Sequence, residues 1–355
     1  MPAEPLSLPE RRTAMTVETL STPALVVDAA ALEDNLTTMA ARLPGSRCRP
    51  HVKAHQCTEL ARRQYALGHR GFTCATPREI IGMAAAGLGD DLLLANETVD
   101  AGRLRAMAAC GARVTVAVDS NETADAAAAA GIRDVVIDVD VGMPRCGCTP
   151  DDAPHIADRA RSRGLDVRGV MGYEGHVVGN PDRAWRAEET ERCMAKLLAA
   201  HESVGGDMIS GGGTGTFDLN RWCTEIQAGS YALMDSAYTE LGLPFRRALH
   251  VEATVISVSS RGWAVADCGL KALAMDHGNP TVTTGTGDAV PVAFCSDEHV
   301  TLRPDAAGTL HVGERVQVWP AHIDPTIAYH ERLHLSDADG TIVDRWAVDL
   351  RGWTT

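Results

Sequence analysis

The feature that most narrows what this chain can fold into is an alternation beginning at residue 22 and lasting to about residue 235. Short aliphatic and β-branched runs (PALVVD, SRCRPHVK, GFTCAT, DLLLAN, RVTVAVDS, DVVIDVD, DVRGVMGYEG, MISGGG) are each followed by a loop or a segment with helical spacing. Strands separated by helices of this length cannot pair through tight hairpins and instead build parallel βαβ units. About eight strand candidates predict a TIM-like (β/α)8 barrel rather than an open doubly wound sheet. Near residue 246 the character changes. HVEATVISVSS, GWAVADCG, VPVAFCS, HVTLRP, ERVQVWPAH and TIVDRWAVDL are short β-branched runs broken by Gly, Asp and Pro, which predicts an all-β module. The expected organisation is a partly flexible N-terminal extension over 1–21, an α/β barrel over 22–245 and a β-strand domain over 246–355. A chain of 355 residues is long for one core, which agrees with two domains.

A formal net charge of −14 argues against a nucleic-acid partner, whose phosphates demand a basic face. No run of eighteen apolar residues is present, so no membrane span is expected, and the N-terminus has no signal-like apolar stretch. The ten cysteines are scattered without a CxxC pair, a pattern that suits reduced thiols and a cytoplasmic protein.

Chemistry in a parallel barrel gathers where the strands end at their C-termini. Lys53, in PHVKAHQ, ends a strand candidate and is one of only three lysines among 33 basic residues. An amine can lose its proton when desolvated, whereas a guanidinium cannot. Two small-residue turns, SGGGTGT (Ser210–Thr216) and Gly229-Ser230-Tyr231, offer backbone amides to a phosphate. Neither GK[ST] nor GxGxxG occurs, so no nucleotide motif accompanies these turns. An amine with a phosphate cradle points to pyridoxal 5'-phosphate, an aldehyde cofactor that acts as an electron sink. In WPAHIDPT, an extended His322-x-Asp324 pair would turn both side chains to one face and suit a divalent metal such as Mn²⁺, Zn²⁺ or Mg²⁺. Taken singly, each motif has a plain alternative: a solvated lysine, a tight turn, an ordinary loop. His176, in GYEGH, is a candidate base or positioner of a metal-bound water, and a loop-capping histidine equally well.

In order along the chain, TPALVVD, RPHVKAHQ, DVDVGMPRCG, GYEGH, SGGGTGT, EIQAGSY and WPAHIDPT resemble the fold-type III, alanine-racemase-like pyridoxal-phosphate enzymes. Within that group they are similar to the branch with D-threonine aldolase, D-3-hydroxyaspartate aldolase and metal-dependent D-serine dehydratase. The resemblance implies that Lys53 carries the cofactor as a Schiff base, with Arg145 at its phenolic oxygen and Tyr173 by its ring. It implies that Gly213, Thr214, Gly229, Ser230 and Tyr231 hold the phosphate, and that His322 and Asp324 bind the metal that holds a substrate β-hydroxyl. It implies a homodimer. The implied reaction is cleavage of a D-3-hydroxy amino acid, D-threonine-like, to glycine and an aldehyde. Dehydration of D-serine or D-3-hydroxyaspartate is the alternative, and His-x-Asp rather than His-x-Cys at the metal loop favours the aldolase. The second catalytic tyrosine of the racemases has no matching motif here, which counts against an amino-acid racemase. A non-catalytic pyridoxal-phosphate carrier is the remaining reading.

Overall fold

The alternation resolves into two sheets in a computed structural model that describes residues 15–304 and 310–354. The chain enters through β1 (Ala24–Asp28) and α1 (Ala29–Arg42), and α2 (Thr58–Ala66) precedes β2 (Gly71–Cys74). There follow α3 (Pro77–Ala85), β3 (Asp91–Leu94), α4 (Ala101–Ala108), β4 (Val114–Val118), α5 (Asn121–Ala129) and β5 (Asp134–Asp138). Then come α6 (Ala153–Ser162), β6 (Asp166–Gly172), α7 (Arg183–Val204), β7 (Met208–Gly211) and β8 (Glu225–Ile226). Strands β2 to β8 pair in parallel, each with the next. Asp28, Thr76, Asp100, Ser120 and Asp182 accept the first free amides of α1, α3, α4, α5 and α7, which fixes where each helix starts.

Residues 48–51 close the ring. Arg49 N and His51 N donate to the carbonyls of Ile226 and Ala228 at 2.9 and 3.0 Å, and Pro50 O accepts from Thr73 N at 2.9 Å. Pro50 has no amide to donate, so this segment is an irregular eighth stave rather than a full strand. The expected (β/α)8 barrel is therefore present, with one correction. PALVVD, expected as the opening barrel strand, is β1 of the other sheet. A run of apolar residues signals burial on both faces but not which sheet supplies the neighbours.

The second sheet begins beyond α8 (Ser236–Thr239). Its strands are β9 (Leu249–Ser259), β10 (Trp263–Ala266), β11 (Thr281–Thr284), β12 (Ala289–Val290), β13 (Val292–Cys295), β14 (Val300–Leu302) and β15 (Arg315–Trp319). α9 (Ile323–Ala328), β16 (Arg332–Ser336) and β17 (Ile342–Ala347) complete it. The order is β12-β11-β15-β9-β1-β16-β17, with β1 antiparallel to β9 and parallel to β16, and β10, β14 and β13 extend from β9. Of the extension expected to be loose, residues 1–14 lie outside the described residues. From Met15 onward it is tied down: Val17 N donates to Gly340 O at 2.8 Å, and Arg315 Nη2 donates to the carbonyls of Glu18 and Leu20.

The lower barrel interior holds charge rather than aliphatic side chains. Buried Arg49 reaches Glu225 Oε1 at 2.7 Å and Asp91 Oδ2 at 2.6 Å, and Arg168 meets Asp91 Oδ1 at 2.7 Å. Gly71 lets this guanidinium lie close, because a Cβ there would stand 2.8 Å from Arg49 Nη1 and oblige that side chain to shift. Removing one partner from a buried network strands the others in low dielectric. Arg49→Ala is expected to cost roughly 3–5 kcal/mol, read as a clear drop in melting temperature, and a change under 1 kcal/mol would refute it.

Candidate active site

The C-terminal ends of the staves surround a cavity of about 380 Å³, and the β domain roofs it with His277, His322 and Asp324. Lys53 enters from the 3-10 turn that follows the closing segment, with its amine 6.0 Å from the centre of the Tyr173 ring. Arg145, after β5, lies 5.5 Å from the same ring. The backbone at Gly212, Gly213, Thr214, Gly229 and Ser230 forms the opposite wall. Of these, the amides of Thr214, Gly229 and Ser230 meet no acceptor among the described residues, as an anion cradle requires. Gly229 is needed because a Cβ would stand 2.6 Å from His51 O.

The glycine loop is held from behind by Glu174. This fully buried carboxylate accepts from Thr216 Oγ1 at 2.8 Å, Gly212 N at 3.1 Å and Asn220 Nδ2 at 3.3 Å. Burial pushes its carboxyl up, and these three donors oppose that. Glu174→Gln turns an amide donor toward groups that are themselves donors. The expected result is a cofactor affinity weakened about 10- to 100-fold, the equivalent of one unsatisfied buried polar group, measured by absorbance titration.

His322 and Asp324 do meet, though not as an extended pair. α9 begins at Ile323, so Asp324 sits in the first helical turn while His322 remains extended just before it. His322 Nε2 is 4.0 Å from Asp324 Oδ2, and Asp324 Oδ1 is buried with no hydrogen-bond partner among the described residues. An orphaned carboxylate oxygen beside an imidazole nitrogen is a donor set that fits a divalent cation. The loop is anchored to the barrel end by Asp235, which accepts from Tyr238 N at 3.0 Å and Ile323 N at 3.3 Å.

Lys53 is not an uncharged amine in this arrangement. Burial pulls it down, but the Asp324 carboxylate at 3.6 Å, with Tyr173 and Glu79, outweighs burial and Arg145, so the amine is held above its ordinary value. His51, which lines the cavity two residues earlier, is pushed well below the usual range by burial and by Lys53, and is a neutral imidazole.

Two candidates fall outside the cavity. His176 is exposed and turned to α7, with Nε2 3.8 Å from Cys193 Sγ, while its neighbours Glu174 and Val177 are buried. The Tyr231 side chain is buried, its hydroxyl accepting from Gln64 Nε2 at 3.0 Å; only its amide serves the cradle, bracing Thr214 Oγ1 at 3.0 Å. The cavity also contains residues that motif spacing missed: His51, Asn96, Gln227, Tyr238 and His277. His51 lay within the PHVKAHQ motif. His277 stands 45 positions before His322, and no local spacing points to it.

Barrel, mouth and roof together define a barrel enzyme built for a phosphate-bearing aldehyde cofactor. Residues 27–237 match the family of the alanine racemase N-terminal domain, and residues 248–336 match a putative serine dehydratase domain. A D-threonine aldolase of Arthrobacter sp is 34% identical, covering 94% of each chain. A 3-hydroxy-D-aspartate aldolase of Paracoccus denitrificans (strain Pd 1222) is 32% identical over 94% of this chain and 92% of its own. A D-threo-3-hydroxyaspartate dehydratase of Delftia sp. (strain HT23) is 29% identical over 95% and 99%. The crystal structure of D-threonine aldolase from Filomicrobium marinum superposes with a TM-score of 0.89 at 32% identity, covering 96% of this chain and 99% of that one. The chain belongs to the alanine-racemase-like, fold-type III pyridoxal-phosphate enzymes, in the branch that holds these aldolases and the dehydratase.

Proposed function

We propose that this protein cleaves a D-3-hydroxy amino acid, D-threonine-like, at its Cα–Cβ bond to give glycine and an aldehyde. The observation that carries the reading is Asp324: a carboxylate with one orphaned buried oxygen, paired to Lys53 on one side and facing His322 on the other. Lys53 would hold pyridoxal phosphate, the Thr214, Gly229 and Ser230 amides its phosphate, and Arg145 and Tyr173 its ring. When bound, that cofactor supplies a sink for the electron pair left at Cα. A divalent cation, Mn²⁺, Mg²⁺ or Zn²⁺, at His322 and Asp324 would act as a Lewis acid toward the β-hydroxyl. In this reading the Cβ side of a substrate would lie under the β-domain residues His322 and Asp324 and its Cα side over Lys53. In the overall change the hydroxyl proton is lost, the Cα–Cβ pair stays on Cα, and Cα regains a proton to become glycine.

Asp324 gives the metal loop the His-x-Asp form that the resemblance associates with the aldolases, which supports cleavage over loss of hydroxide. The ten cysteines are free thiols, as a reducing cytoplasm would keep them. A homodimer belongs to the same reading. Incubation of the loaded enzyme with D-threonine and Mn²⁺ is expected to yield glycine and acetaldehyde. Formation of 2-oxobutanoate and ammonia instead would establish the dehydratase, and no turnover of any D-3-hydroxy amino acid would support a carrier.

A further inference from the structure

We propose that Asp276 is a positioning residue for His322, selecting which imidazole nitrogen faces the divalent cation. The inference rests on the reading of His322 and Asp324 as cation ligands.

Asp276 Oδ2 lies 2.6 Å from His322 Nδ1. A carboxylate only accepts, so Nδ1 carries the proton and donates. A neutral imidazole protonated at Nδ1 leaves its lone pair on Nε2, the nitrogen 4.0 Å from Asp324 Oδ2. The hydrogen bond therefore determines both the tautomer and the rotation of the ring. It turns the one basic nitrogen toward the carboxylate that has an unpartnered oxygen. Outer-sphere carboxylates act in this way on metal-binding histidines generally.

The contact is built into the fold at both ends. Thr326 Oγ1, on α9, donates to His322 O at 2.7 Å and accepts from Ala274 N at 3.1 Å, two residues before Asp276. His330, just past α9, pairs with Ala272 O at 2.9 Å. The segment carrying Asp276 is thus pinned to the short helix that carries Asp324.

Asp276, His277 and His322 also lie close enough together to suggest a ligand triad of their own. The geometry argues against it. The His277 and His322 rings are stacked, 4.0 Å between centroids and 1° between planes. Imidazole lone pairs lie in the ring plane, and a metal–nitrogen bond is about 2.0–2.1 Å. Two parallel planes at stacking distance share no point, so one ion cannot lie along both lone pairs. An ion at Nδ1 would further have to displace the Asp276 hydrogen bond. His277 packs against the ligand ring, and Asp276 orients it.

The test uses pyridoxal-phosphate-loaded protein stripped of metal with a chelator and titrated with Mn²⁺, the free ion followed by electron paramagnetic resonance. Asp276→Ala is expected to raise the Kd for Mn²⁺ about 10- to 100-fold. Asp276→Asn, whose amide oxygen still accepts from Nδ1–H, is expected to recover part of that loss, and His277→Ala to stay within about threefold of the parent. The cofactor absorption band and the melting temperature show whether each variant is folded. If Asp276→Ala does not fold, Asp276→Leu, closer in volume, is read in its place. A Kd within threefold of the parent for Asp276→Ala, while His322→Ala weakens binding, overturns the inference and leaves the ligand reading standing. Asp276→Asn as weak as His322→Ala, or His277→Ala as weak as Asp276→Ala, overturns it in favour of direct ligation. Parent-like Mn²⁺ binding by His322→Ala overturns the ligand reading itself.

Discussion

Lys53→Ala is expected to abolish the visible absorption band of the pyridoxal-phosphate-loaded protein and to lower turnover roughly 10⁴-fold or more, the scale of losing a covalent nucleophile. The size of the effect follows from the absence of a substitute. Among the described residues Lys53 is the lysine that lines the cavity. Lys196 donates to Val141 O at 3.3 Å, and Lys271 pairs with Glu298 at the surface. Neither lines the cavity that holds the amides of Thr214 and Ser230. The fold should tolerate the change, because Lys53 contributes one ion pair, to Asp324, and packs in no apolar cluster. A variant that keeps the band would move the cofactor's amine elsewhere.

His322→Ala and Asp324→Asn should have the opposite profile: an intact absorption band with activity that no longer responds to added Mn²⁺. Lewis-acid stabilisation of a developing oxyanion is worth several kcal/mol, so turnover should fall roughly 10²-fold or more. Treating the parent with a chelator should bring it to the same level, and Mn²⁺ should then restore the parent but neither variant. Asp324→Asn carries a second consequence. It removes the carboxylate that most strongly holds the Lys53 amine above its usual value. If chelation leaves the parent fully active, the cation has no part in the reaction.

What could be read in the sequence follows the range of the interactions involved. Lys53, Gly213, Thr214, Gly229 and Ser230 sit in short motifs whose chemistry is local to the backbone that carries them, and all line one cavity. His322 and Asp324 were legible as a pair, although a helix starting between them, rather than an extended strand, brings them together. Side-chain direction at a bend was not legible. Tyr173 turns inward and His176 outward, three residues apart, because the register of an irregular turn has no period from which to infer facing. At Tyr231 the amide supports the cradle through Thr214 Oγ1, while the ring is buried away from the cavity. Nor does a strand's composition name its partners. The same aliphatic pattern serves β1 in the mixed sheet and β5 in the barrel. The roof residues Asp276 and His277 reach the site only through the long-range folding of the β domain.

Borohydride reduction of the pyridoxal-phosphate-loaded protein, followed by digestion and mass mapping of the pyridoxyl group, tests the underlying assignment most directly. The label is expected on the peptide containing Lys53. A label on Lys196 or Lys271, or none that survives denaturation, would contradict it.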